Sequence, residues 1–142
     1  MPELPFEILG IEHVGIAAND LNGISDIFGD LLGLKLRSRE KIDDQQVITD
    51  IYDTGSGKLE FLKATDKNSP ISRFIDKKGT GMHHIALMVD HLQPALDYLK
   101  NQGVHLIDTV PKIGAEGYQV AFIHPKSTGG ILVELCEKNR EK

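Results

Sequence analysis

The chain has 142 residues, a length typical of one domain, and carries 16 basic and 21 acidic side chains for a net charge of −5. This acidic balance, without a basic cluster or any tryptophan, argues against a nucleic-acid partner, and no apolar stretch approaches the ~20 residues of a membrane span. The single cysteine, Cys136, cannot form an internal disulfide, which fits a reducing compartment. The N-terminal stretch has no basic region followed by a long apolar run. We therefore expect one domain over residues 1–142 in the cytoplasm, or in the mitochondrial matrix only if a targeting segment has been removed.

The first half of the chain predicts a strand, a helix and three further strands. A strand over residues 8–18 leads to a helix that Asp20 caps and Gly33 ends. The apolar residues of this helix are spaced three or four apart: Leu21, Ile24, Ile27, Phe28, Leu31 and Leu32. Strands are expected over 34–39, 46–52 and 58–64, with turn residues at 53–57.

A polar connection then contains a short helix, which Ser69 and Pro70 open and which buries Ile71, Phe74 and Ile75. The same order of elements returns after it. We expect a strand over 81–90, a helix over 92–102, and strands over 104–108, 118–124 and 131–136, with a loop at 125–130. The chain is therefore an internal repeat of two modules, about 7–65 and 81–137.

Aligning the two modules selects four side chains that could bind a metal ion. The segment after His13 matches the segment after His84, so His84 rather than His83 is the counterpart of His13, and Glu60 likewise matches Glu134. If the first and last strands of a module are neighbours, each histidine lies near its glutamate, and pseudo-symmetric pairing of the modules would bring all four together in one cleft. Imidazole and carboxylate ligands suit Zn²⁺, Co²⁺, Ni²⁺, Mn²⁺ or Fe²⁺.

Each of these residues, taken singly, also has an ordinary structural interpretation. A histidine in an apolar strand is usually packed and hydrogen-bonded, and a lone glutamate in a strand usually faces solvent. Matching positions in both modules favour the metal site, since carboxylates are seldom buried without a partner. We expect His83 to support this site without binding the metal.

A second candidate region is the loop that follows the penultimate strand. Lys126, Ser127 and the flexible backbone could bind an anionic ligand, His124 could contact substrate, and Lys112 could act from a neighbouring loop. An ordinary hairpin connection is the alternative interpretation of this loop.

These residues resemble a known family over nearly the whole chain: the vicinal-oxygen-chelate superfamily of glyoxalases, bleomycin-resistance proteins and dioxygenases. Within it the chain looks most like the methylmalonyl-CoA epimerases. The resemblance is carried by these segments: 13–17 (HVGIA), 31–34 (LLGL), 69–71 (SPI), 81–86 (GMHHIA), 106–108 (LID), 111–115 (PKIGA), 124–130 (HPKSTGG) and 134–136 (ELC).

The resemblance implies an α+β fold in which two paired βαβββ modules form a curved mixed sheet around a metal-binding cleft. It places the metal ligands at His13, Glu60, His84 and Glu134 and implies a divalent cation: Co, Zn, Mn or Ni. It also implies an acyl-CoA substrate and a homodimer. The reaction would be epimerisation at C2 of methylmalonyl-CoA through a metal-stabilised enolate, with Glu134 and Glu60 as the candidate bases and Lys112, Lys126 and Ser127 near the CoA phosphates.

Two alternatives remain at this point. Glyoxalase I, a lactoylglutathione lyase, uses similar chemistry and has glutamate where some epimerases have glutamine at the position of Glu60. A metal-free, ligand-binding resistance protein is the other, although the intact His and Glu set argues against it. Some epimerases also carry a carboxylate base on the third strand, where this chain has Thr49 with Asp50 beside it.

Overall fold

The computed structural model describes residues 3–139, which form two compact units. One unit contains His13–His83, and the other contains the described residues up to Glu12 together with those from His84 onward. The first two residues of the N-terminal stretch, on which the expected location partly depends, lie outside the described range.

The first module, most of which lies in the His13–His83 unit, has four strands. Strands β1 (Ile8–Ala17), β2 (Lys35–Ile42), β3 (Val47–Asp53) and β4 (Lys58–Ala64) follow the order β2-β3-β4-β1. The β1–β4 pair is parallel, whereas β2–β3 and β3–β4 are antiparallel. The first and last strands of the module are thus neighbours.

The helix after β1 begins as predicted and then changes its winding. Asp20 caps α1 (Leu21–Ile24), because its carboxylate accepts hydrogen bonds from the Asn22 and Gly23 N–H groups, each at 3.1 Å. The chain continues as a π-helix, Ser25–Leu31, and the Leu32 N–H donates to the Ile27 carbonyl five residues back at 2.8 Å.

This wider winding corrects the expected apolar face. Leu31 and Leu32 are 76% and 62% exposed, because a π-helix does not keep the α-helical spacing on one side. Leu21, Ile24 and Phe28 do pack on the sheet. Gly33 follows with φ of +76°, the left-handed conformation predicted for the position that ends the helix.

The two faces of this four-stranded sheet carry different layers. Phe61 and Tyr52 pack with α1 and the π-helix on one face. Leu62 and Val47 pack on the other face against Ile71 of α2 (Pro70–Lys78). The predicted start of α2 is confirmed, since the Ser69 hydroxyl accepts a hydrogen bond from the Ile71 N–H at 3.2 Å.

The second module repeats the arrangement with β5 (Gly81–Val89), α3 (Leu92–Asn101), β6 (Lys112–Ile113), β7 (Gln119–Ile123) and β8 (Val133–Glu137). The strand order is β5-β8-β7-β6, and β5 is parallel to β8. The core forms because one face of α3, with Leu92 and Leu96, packs against Leu135 and Ala121 of the sheet. The predicted α+β class and the βαβββ order of both modules are confirmed.

The strand expected over 104–108 is wrong. This segment makes a single isolated bridge, from Leu106 to Ile123, and the two-residue β6 is the first of the three later strands. The ladder fails to extend because the Asp108 carboxylate, rather than a backbone carbonyl, accepts the Phe122 N–H at 2.8 Å.

Among the described residues, no helix is both long enough and apolar enough to cross a bilayer.

Candidate functional site

His13 and Glu60 form a buried pair in the His13–His83 unit. The parallel register sets Gly15 opposite Glu60, and His13, two residues earlier, shares that face of the sheet. His13 Nδ1 lies 3.1 Å from Glu60 Oε2, and the two residues are only 5% and 4% exposed. A glycine opposite Glu60 presents no side chain to compete for the space that the carboxylate occupies.

His84 and Glu134 form the equivalent pair in the other unit. Ala86 lies opposite Glu134, and His84 again precedes this small residue by two positions. His84 Nε2 lies 3.2 Å from Glu134 Oε1, and both residues are 6% exposed. The predicted proximity of each histidine to the glutamate of its own module is therefore confirmed.

Both pairs have the chemistry of metal ligands. Nitrogen and oxygen ligands bind a cation such as Zn²⁺ at about 2.0–2.2 Å, so two ligands on one ion are separated by about 3–3.4 Å. The separations of 3.1 and 3.2 Å match this value. Because a buried carboxylate is costly unless it is paired, the pairs fit either two ligands of one ion or a hydrogen bond to imidazole.

The register separates Thr49 from Asp50. Thr49 lies opposite Leu62 and Ile51 lies opposite Glu60, so Thr49 shares the face of Glu60. Its hydroxyl is buried and has no hydrogen-bond partner among residues 3–139. Asp50 points to the face that α1 and the π-helix cover, away from Glu60.

Asp50 instead forms an ion pair with Arg39 of β2, which lies directly opposite it. The Arg39 Nε and Nη2 atoms donate to the two carboxylate oxygens at 2.6 and 2.9 Å. Hydrogen bonding to Asp50, together with the negative charge of Asp50, raises the pKa of Arg39 above its ordinary value. Asp50 is thus occupied by its contact with Arg39 and does not face the His13–Glu60 pair.

His83 packs differently from its neighbour His84. Its ring meets the ring of Phe74, on α2, edge to face at a centroid distance of 4.9 Å. His83 therefore contacts the helix of the His13–His83 unit, while His84 contacts Glu134.

Lys112 lies on the same sheet face as the His84–Glu134 pair. The register sets Phe122 opposite Glu134, and the Phe122 ring meets the His84 ring edge to face at 5.6 Å. The Lys112 ammonium lies 5.2 Å from the centre of the Phe122 ring and 3.5 Å from Asp108 Oδ1. Sequence reasoning missed Phe122 and Asp108, although the alternation of β7 and β8 could have indicated Phe122 as a neighbour of Glu134.

Lys126 and Ser127, the candidate anion-binding residues of the 125–130 loop, lie next to a pair of stacked histidines. The rings of His105 and His124 are stacked at 4.7 Å, and His124 Nδ1 accepts the Lys126 N–H at 3.0 Å. The Ser127 hydroxyl accepts the His105 N–H at 2.8 Å. The loop begins with a 3-10 helix, Pro125–Ser127, in which Lys126 and Ser127 are exposed.

Comparison with known proteins decides the family. The family model described as the Glyoxalase/Bleomycin resistance protein/Dioxygenase superfamily matches residues 12–122. The chain belongs to this superfamily. The methylmalonyl-CoA epimerase of Dictyostelium discoideum is 37% identical over 129 residues, which are 90% of this chain and 78% of that protein.

Solved structures agree with this membership. The methylmalonyl-CoA epimerase of Mycobacterium tuberculosis superposes with a TM-score of 0.89 at 32% identity, covering 94% of this chain and 90% of that one. A variant of the Streptomyces coelicolor methylmalonyl-CoA epimerase, in complex with 2-nitronate-propionyl-CoA, gives a TM-score of 0.88 at 27% identity, covering 94% and 100%. The predicted resemblance to this superfamily and to its epimerases is confirmed.

Proposed function

We propose that this protein interconverts the two C2 epimers of methylmalonyl-CoA. The observation that carries the proposal is the repeated pair of a buried histidine and a buried glutamate, His13 with Glu60 and His84 with Glu134. It occurs in a chain whose relatives above 30% identity include methylmalonyl-CoA epimerases.

The same proposal assigns His13, Glu60, His84 and Glu134 as the ligands of one divalent cation, with Co, Zn, Mn or Ni as candidates. The separations and the burial within each pair support this assignment. When bound, the cation supplies Lewis-acid stabilisation of the negative charge that develops on the substrate's thioester oxygen.

Epimerisation needs one proton removed from C2 on one face and another proton returned on the opposite face. Glu134 and Glu60 are the proposed proton-transferring groups, one from each module. Each is buried beside an imidazole, which orients the carboxylate and limits its access to bulk water. The opposite orientation of Asp50 supports leaving it outside this role.

The remaining parts of the assembly are also proposals. Lys126 and Ser127 would bind the phosphate-bearing end of CoA, since the loop presents a cation and backbone donors at the surface, and His124 would contact the substrate. Lys112 would bind substrate as well, and His83 would support the metal ligands from its contact with Phe74. A cytoplasmic homodimer, with the whole chain forming one domain, completes the proposal.

The direct test is solvent deuterium exchange at C2 of methylmalonyl-CoA, followed together with loss of optical purity. We expect both with the wild-type protein. Metal analysis and titration with Co²⁺ should show about one bound ion per chain, as four ligands on one ion imply. Turnover of the methylglyoxal–glutathione adduct without exchange into methylmalonyl-CoA would replace this function with glyoxalase I activity, and absence of any bound or added metal effect would favour a metal-free binding protein.

A further inference from the structure

We infer that Lys112 binds the free carboxylate of the substrate's acyl group and so selects malonyl-type thioesters. The inference rests on the proposed function, in which Lys112 binds substrate and the 125–130 loop binds the CoA phosphates. It refines that proposal by naming the part of the substrate that Lys112 contacts. Three observations within one unit carry it.

The first observation is position. Lys112 lies opposite Val120 on β7, and Phe122 of the same strand lies opposite Glu134 of β8. Since residues two apart on a strand share a face, the lysine and the glutamate lie on the same face of the sheet. A single phenyl ring, that of Phe122, contacts both the Lys112 ammonium and the His84 imidazole.

The second observation is that the ammonium is held in place. Asp108 accepts the Phe122 N–H through one oxygen and lies 3.5 Å from Lys112 Nζ through the other. The Phe122 ring and the Asp108 carboxylate restrict the otherwise flexible side chain of Lys112. Lys112 therefore loses less rotamer entropy when a ligand binds. An ammonium has three N–H donors, more than Asp108 takes up, and the Lys112 side chain is 42% exposed.

The third observation is the chemistry that such a cation would meet. In methylmalonyl-CoA the free carboxylate is bonded directly to C2, the carbon that loses its proton. The phosphates lie at the far end of the pantetheine arm. A cation one ring away from the proposed proton-transferring pair is therefore suited to the carboxylate, whereas Lys126, in the 125–130 loop, is suited to the phosphates.

The test compares Lys112→Met with Lys112→Arg and with Lys100→Met, an exposed lysine in the last turn of α3. Binding of methylmalonyl-CoA, methylmalonyl-pantetheine and propionyl-CoA is measured by calorimetry, alongside KM and kcat for exchange. We expect Lys112→Met to weaken binding of both carboxylate-bearing ligands about tenfold, the lower end for a hydrogen bond to a charged group, because the site is partly exposed. Lys112→Arg should restore most of this loss, and Lys100→Met should change nothing.

Propionyl-CoA, which lacks the free carboxylate, should bind equally to the wild type and to Lys112→Met. Lys112→Met could instead weaken binding of propionyl-CoA but not of methylmalonyl-pantetheine, which lacks the CoA phosphates. That result would overturn the inference, since it would place Lys112 at the phosphates. Unchanged binding of all three ligands would also overturn it. If the wild type binds these ligands but exchanges no deuterium, the proposed function fails while the binding comparison still decides the role of Lys112.

Discussion

The ion pair between Arg39 and Asp50 allows the face assignment of β3 to be tested quantitatively. The Asp50 side chain is 1% exposed, whereas Arg39 is 53% exposed and donates two hydrogen bonds to it. Arg39→Met removes both donors and leaves a buried carboxylate without its main cation. Such a change costs about 3–5 kcal/mol for a fully buried pair.

The expected loss here is smaller, about 2–3 kcal/mol, because water can reach the position that the half-exposed guanidinium occupied. For a chain of this length, that loss lowers Tm by roughly 5–10 °C. Because the pKa of Arg39 is raised by Asp50, the stabilisation is complete below the ordinary arginine pKa and is lost only as pH rises through the raised value. The effect should therefore be constant across neutral pH.

Urea unfolding measures the free energy of unfolding, with an unchanged m-value as the check on two-state behaviour. The double variant Arg39→Met/Asp50→Val should recover most of the loss, since it leaves no buried charge and places a strand-favouring apolar residue beside Phe61. Deuterium exchange per folded molecule should stay at the wild-type level in both variants. Loss of exchange with stability restored would show that Asp50 takes part in the reaction and would refute the face assignment.

Three further predictions follow from single contacts. His84→Ala should abolish Co²⁺ binding and His83→Ala should only weaken it, as measured by calorimetry; equal losses would contradict their different surroundings. Gly33→Ala should destabilise by about 1–2 kcal/mol in urea unfolding, purely from its φ of +76°, because a Cβ there meets no atom of residues 3–139 within 4 Å. The Glu7 N–H donates a hydrogen bond to Asp90 and lowers the pKa of that carboxylate. The stability that this contact contributes is therefore present above the ordinary aspartate pKa and is lost as pH falls through the lowered pKa. Asp90→Asn should lack this loss when unfolding is followed through acid pH, and a pH profile identical to that of the wild type would contradict the prediction.

Much of the architecture was predictable because it depends on local chemistry. Turn residues, the Asp20 and Ser69 caps and the alternation of strands indicated two βαβββ modules. The repeat also paired His13 with Glu60 and His84 with Glu134, since equivalent positions in a duplicated fold have equivalent neighbours. Parallel pairing of the first and last strands then brought each pair within 3.2 Å.

The errors arose where a backbone or side-chain partner distant in sequence decides the conformation. The π-helix after Ile24 follows no residue pattern that separates it from an α-helix, and the failed strand at 104–108 depends on Asp108 replacing a backbone acceptor for Phe122. The residues of each segment alone therefore do not decide between a π-helix and an α-helix after Ile24, or between a strand and an irregular segment over 104–108.

The sequence by itself determined the family, the duplicated modules and the histidine–glutamate pairs, because each is written in residue identities that repeat at matching positions. Tertiary structure decided the surroundings of these pairs. It turned Asp50 toward Arg39, left the Thr49 hydroxyl on the face of Glu60, and placed both Lys112 and His84 in contact with the Phe122 ring. The physical reason is register: on a strand, one residue of difference moves a side chain to the opposite face, and register is set by pairing between strands that lie far apart in the chain.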